Sequence, residues 1–175
     1  DFEESALTPW QVAGEVALDE DVSYSGEWSL RMAGTQASTA EAWQLLSVPS
    51  DATAATLFFA FRIYNHDFDF GTDPHDPFDD HLMAQFRNMN GKPLIPLLRA
   101  GNTSDAAPDG LPWDEYIYRL TPEDLATLRH AGLVQLYFYA DNNDDGETTI
   151  FHVDGVRFCV GGMAMERQVF LPLIP

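Results

Sequence analysis

Basic residues are scarce in this chain. Nine Lys and Arg stand against 28 Asp and Glu, a formal net charge of -19 over 175 residues. Such a surface repels phosphate backbones and anionic bilayers, which excludes nucleic acid as a partner and argues against membrane insertion. Cysteine is nearly absent. Cys159 is the only one, so no intrachain disulfide can form, and its place between Phe158 and Val160 suits an ordinary strand thiol. No apolar run reaches the length of a membrane span. The sequence opens on Asp1, without Met or a secretory leader, and reads as a processed or excised part of something longer. Also missing are a G-x-S-x-G elbow, a phosphate-binding loop, a dinucleotide fingerprint and any internal repeat. Carboxylates are so numerous that finding two close together specifies no glycosidase. The expectation is a protein that is not an enzyme.

Apolar residues make up 45% of the chain, ample for the core of one domain. Their spacing is that of strands. In Ala55 to Tyr64, Leu57, Phe59, Phe61 and Ile63 share one face, and Phe58, Ala60, Arg62 and Tyr64 share the other. The same alternation puts Leu82, Ala84 and Phe86 inward with His81, Met83, Gln85 and Arg87 outward. It also puts Val134, Leu136, Phe138 and Ala140 inward with Gln135, Tyr137 and Tyr139 outward. Further strands fit Trp28 to Met32, Ala42 to Val48, Pro93 to Arg99 after an Asn90-Gly91 turn, and Trp113 to Leu120. Thr121-Pro122-Glu123-Asp124 starts a short helix, with Thr as N-cap, Pro at the first helical position and acids facing the helix dipole; Gly132 ends it. The expected fold is all-β, an antiparallel β-sandwich of about ten strands with one short helix near 122–131. The domain is expected to span 1–160, with 161–175 as a linker and apolar tail that could also return as an edge strand.

The stretch from Leu133 to Val160 reads as a long β-hairpin around an acidic turn. Asp141, Asn143, Asp145 and Gly146 reproduce the D-x-N-x-D-G opening of a calcium loop, whose alternate oxygens converge on a hard cation. The twelfth position is His152 and not the bidentate Glu of an EF-hand, and NDDG is also a good hairpin turn in its own right. A second acidic cluster, Asp67, Asp69, Asp73, Asp76, Asp79 and Asp80, lies in the loop from Asn65 to Asp80 with six Asp, two His and two Pro in sixteen residues. A cation would relieve its self-repulsion, although charge runs are more often simply solvated. His66, His75 and His81 stand near it, but no H-E-x-x-H or Cys/His zinc pattern includes them.

The outward set Arg62, Tyr64, Gln85, Tyr137 and Tyr139, with Arg87 beside them and Trp43 and Trp113 nearby, combines flat aromatic rings with planar amide and guanidinium donors. Rings stack on the apolar faces of sugars and planar donors meet hydroxyls, so this is the composition of a saccharide site. Aromatic residues in strands also serve simply as packing.

The order of the motifs resembles a known superfamily. Phe2-Glu3, SGEWSLRM (25–32), Val48-Pro49, ATLFFAFRI (55–63), NGKPL (90–94) and TTIFHVDGV (148–156) are similar to the corresponding stretches of galactose-binding-like jelly rolls. That superfamily includes carbohydrate-binding modules and MAM-like accessory domains of secreted bacterial enzymes. The resemblance covers roughly 1–160. It implies a secreted, extracellular module that binds carbohydrate, as a polysaccharide or glycan, or else an accessory domain that packs on neighbouring domains of a longer parent chain and binds no sugar. It also implies a structural calcium (Ca2+) held by Glu3, the Gly26 carbonyl and Asp154, with Gly155 standing where such families carry a second acid.

Overall fold

A computed structural model describes residue 2 and residues 7–65, 80–101, 112–143, 148–162 and 165–169. Eleven strands and one helix follow in order: β1 (Gln11–Gly14), β2 (Val16–Asp19), β3 (Ser29–Met32), β4 (Thr39–Ser47), β5 (Ala52–Asn65), β6 (His81–Asn88), β7 (Pro93–Gly101), β8 (Asp114–Arg119), α1 (Pro122–Ala131), β9 (Leu133–Asp141), β10 (Thr149–Gly162) and β11 (Met165–Val169). They form two antiparallel sheets, one ordered β1-β4-β9-β6-β7 and the other β2-β3-β10-β5-β8, with β11 beside β10. This is the expected all-β sandwich jelly roll with its one short helix.

The period-two sets fall where expected. Leu57 and Phe59 of one sheet, and Leu82, Ala84, Phe86, Leu136 and Phe138 of the other, are completely buried between the layers. Rings from opposite sheets meet edge to face, Phe59 with Phe138 at 5.1 Å and Phe86 with Phe158 at 5.8 Å between centroids. Those T-shaped pairs fix the spacing of the layers as well as burying area. α1 closes one end of the sandwich by burying Leu125 and Leu128. Its start is the N-cap expected at Thr121, and the structure completes it as a capping box: the Thr121 hydroxyl accepts from the Asp124 amide while the Asp124 carboxylate accepts from the Thr121 amide at 2.9 Å.

One expectation is corrected, and one of the two readings of the tail is selected. β9 and β10 do not form a hairpin: β9 lies between β4 and β6 in one sheet, and β10 between β3 and β5 in the other. β9 and β10 therefore belong to different layers and contribute their apolar faces to the core from opposite sides. The residues after 160 are not wholly a linker. β10 continues to Gly162, and the backbone of β11 pairs with Phe158–Gly162, along the part of the β10 edge that β3 leaves open after Val153.

Candidate functional site

The outer face of the β1-β4-β9-β6-β7 sheet is built from successive rows. Glu41, Tyr139 and Met83 are register partners across β4, β9 and β6, and so are Trp43, Tyr137 and Gln85 one step along; Gln135 and Arg87 follow. Arg87 joins the last two rows. Its guanidinium carbon sits 3.4 Å from the Tyr137 ring centroid and 5.5 Å from that of Trp43, and its Nε donates to Oε1 of the buried Gln135. A planar cation seated on one ring and tied by a hydrogen bond has lost most of its rotamer freedom before any ligand arrives. Trp43 is steadied as well, its Nε1–H donating to Gln11 Oε1 at 3.1 Å.

Burial then assigns different work to the two tyrosines. Tyr137 is only 5% exposed, beneath Arg87, whereas Tyr139 and Trp43 are half-buried with ring surface still reachable. Burial first, then the neighbouring Glu41 carboxylate, pushes the Tyr137 hydroxyl up to about 12. Tyr139 is raised in the same direction, by burial and by Asp141. The two rings lie nearly parallel, 17° apart with centroids 6.4 Å apart. Tyr137 therefore supports the cation, and Trp43, Tyr139 and Arg87 form the accessible surface. Gln85 is buried at 7% and backs this surface from below.

Arg62 and Tyr64, expected on the same surface, are on the other side of the molecule. They belong to β5, and their outward direction is the outer face of the β2-β3-β10-β5-β8 sheet. Alternation separates inward from outward residues, but a sandwich has two outsides. There, Arg62 pairs in register with the buried His152, whose Nε2 lies 3.0 Å from Asp19 Oδ2. Burial pulls the His152 pKa below its ordinary value, and the bond to Asp19 opposes that shift. The Trp113 ring stands edge-on to both His152 and Tyr24, at 6.2 and 5.8 Å, so chain covers the middle of this face. Trp113 thus packs over a polar cluster away from Trp43.

The residues expected to ligate calcium meet different fates. Asp154 is completely buried; its Oδ2 accepts from the Tyr24 and Ser25 amides at 2.9 and 3.0 Å, and its Oδ1 accepts from the Gly155 amide. The Gly26 carbonyl accepts from the Ser23 hydroxyl at 3.1 Å. These bonds close the 23–26 turn on β10, and Gly155 takes the left-handed φ of +62° that the β-bulge after Asp154 requires. In the described part of this set these bonds anchor a turn; Glu3 lies outside the described residues. Of the second set, Asp145 lies outside, Asp141 ends β9, and the Asn143 amide donates to Asp80 Oδ1 at 2.8 Å. Asp80 is completely buried and also accepts from the Thr149 hydroxyl at 2.6 Å, so it clamps the start of β10. Asp67, Asp69, Asp73, Asp76, Asp79, His66 and His75 lie outside the described residues. Among the described residues no three His, Cys, Asp or Glu side chains are grouped to hold a metal.

Sequence reasoning missed the roles of Gln135 and Glu41. Alternation puts Gln135 on the outward face, but its contact with Arg87 depends on β6 and β9 being neighbours, which alternation does not specify.

The chain has the β-sandwich fold shared by carbohydrate-binding modules. No family model matches it, and no curated protein matches its sequence. Among solved structures it is similar to a family 61 carbohydrate-binding module in complex with β-1,4-galactotriose, at 12% identity and a TM-score of 0.60 over 91% of this chain and 94% of that one. It is similar to the K1 cleaved adhesin domain of Lys-gingipain from Porphyromonas gingivalis W83, at 10% identity and a TM-score of 0.58 over 92% and 96% of the two chains. It is also similar to the enzymatically active domain of tailspike protein 4 of bacteriophage CBA120, at 11% identity and a TM-score of 0.55, covering 92% of this chain but 20% of that one. At these identities the likeness is one of fold.

Proposed function

We propose that this chain is a non-catalytic carbohydrate-binding module of a secreted protein, and that sugar binds the outer face of the β1-β4-β9-β6-β7 sheet. One observation carries the reading: Trp43 and Tyr139 keep reachable ring surface beside a guanidinium already immobilised on Tyr137. Rings supply apolar stacking for pyranose faces, and Arg87, with Glu41 as acceptor, supplies directed bonds to hydroxyls. The fold shared with a module solved in complex with β-1,4-galactotriose supports the substrate class. Calcium belongs to the proposal as well, with Asp141, Asn143, Asp145, Glu3, the Gly26 carbonyl and Asp154 as its candidate ligands.

A glycan array probed with the wild type and with Trp43→Ala/Tyr139→Ala, with and without calcium, tests this. Binding by the wild type and its loss in a folded variant is the expected result. No binding by the wild type under any condition overturns the reading. A second reading, an accessory domain that packs on a neighbour, is favoured by the coverage of Tyr137 and Gln85 and by the fold shared with an adhesin domain.

A further inference from the structure

The outer face of this sheet does not stop at Arg87. One step further along β9, Leu133 points the same way as Gln135 and Tyr137, and Met89 stands two residues beyond Arg87 just past the end of β6. Both are exposed, Leu133 at 36% and Met89 at 49%, and among the described residues only Ile117 joins them as an exposed large apolar side chain. An apolar pair left in water at the end of a candidate binding face calls for an explanation. The pair forms one wall of a groove of about 640 Å³ between the β6–β7 turn and the exposed side of α1. That volume is in the range of ligand sites.

The lining of the groove mixes apolar and polar side chains. Leu94 joins Met89 and Leu133, while Asn88, Glu123 and His130 line it with polar atoms. Asn88 is already oriented, its Oδ1 accepting from the Asn90 and Lys92 amides at 3.0 Å each, which leaves Nδ2 as a donor held by the turn. The helix is there because of sequence: the Thr121 cap starts it directly after β8, and Gly132 stops it one residue before β9. α1 thus forms the far wall where the sheet face ends.

We propose that the sheet face and the α1 groove form one continuous track, and that its ligand is an uncharged linear polysaccharide lying along β9, with the groove as a distal subsite. The proposal rests on the surface reading above. From Tyr139 to Leu133 the track runs six residues, about 20 Å at the rise of a strand, before entering the groove. That length suits several sugar units and not a single terminal residue. The net charge of -19, and Glu123 in the groove wall, select against polyanionic chains.

The test is calorimetric titration of the 175-residue chain with linear neutral oligosaccharides of three and six units, taken from whichever of xylan, β-glucan and β-1,4-galactan retards it in an affinity gel. Ala126→Trp, at an exposed helix position lining the groove, fills the distal subsite without touching the sheet. The six-unit ligand should bind the wild type at least tenfold more tightly than the three-unit ligand. Ala126→Trp should remove at least fivefold of that gain and leave the three-unit ligand unchanged, and Trp43→Ala should lose both. Equal binding of the two lengths by the wild type, or an Ala126→Trp variant indistinguishable from it, overturns the track and leaves the sheet-face reading standing. Wild-type affinity in Trp43→Ala overturns the sheet-face reading and the track with it, as does an absence of binding to all three polysaccharides.

Discussion

Replacing Arg87 with Ala tests whether the surface is held in place before ligand arrives. The substitution removes a guanidinium 3.4 Å from the Tyr137 centroid and the Nε donor to Gln135, and Gln135 is only 8% exposed. A partly desolvated cation–π contact contributes about 1 kcal/mol, and a hydrogen bond with a charged partner about 1.5–3 kcal/mol. Water entering the vacated space re-solvates Gln135 and the Tyr137 face, so the loss should settle near about 2 kcal/mol. For a domain of 175 residues that is a fall in Tm of about 4–8 °C. Arg119→Ala is the control, since Arg119 is exposed on the outer strand β8, and surface substitutions of that kind stay within about 0.5 kcal/mol. The assay is paired thermal and urea unfolding at low and high salt. An Arg87→Ala protein melting within a degree of the wild type would refute the claim that the cation is preorganised, and the candidate surface would then be an ordinary mobile side chain over a packed tyrosine.

Other consequences follow from the same geometry. Asp154→Ala leaves the Tyr24, Ser25 and Gly155 amides without their buried acceptor, in a turn that is itself half-buried, which should cost about 3 kcal/mol by urea unfolding; an effect below about 1 kcal/mol would mean the turn is held elsewhere. Because the Tyr137 pKa is raised from 10.0 to about 12, its neutral form is favoured by folding, so its contribution is complete below pH 10 and is lost as pH rises through about 12. Absorbance titration should show a last-ionising tyrosine whose step disappears in Tyr137→Phe. Chelation should lower the melting temperature if calcium is held by the native state alone, and an unchanged melt after confirmed metal removal would count against calcium.

Much of the fold was legible because burial enforces alternation. The inward sets of β5, β6 and β9 and the Thr121 N-cap follow from local chemistry that tertiary structure did not override. Strand partners were not legible in the same way. Leu133–Asp141 and Thr149–Gly162 each show a strand pattern that is the same whether the two pair within a sheet or face each other across the core, and the NDDG turn chemistry pointed to the wrong alternative. The same degeneracy merged Arg62 and Tyr64 with Tyr137 and Tyr139, since outward residues of opposite sheets carry the same period. Asp154 carries no local mark of its role either. The Tyr24 and Ser25 amides that it accepts from lie about 130 residues away in sequence.

The central claim is that one particular outer face binds sugar, so the most direct measurement compares the two faces. Titrating the polysaccharide retained by the wild type into Trp43→Ala and into Tyr64→Ala, both first shown to be folded by circular dichroism, separates them. The account predicts that Trp43→Ala loses binding by at least tenfold while Tyr64→Ala keeps wild-type affinity. Loss in Tyr64→Ala with retention in Trp43→Ala would contradict it and move the site to the opposite sheet.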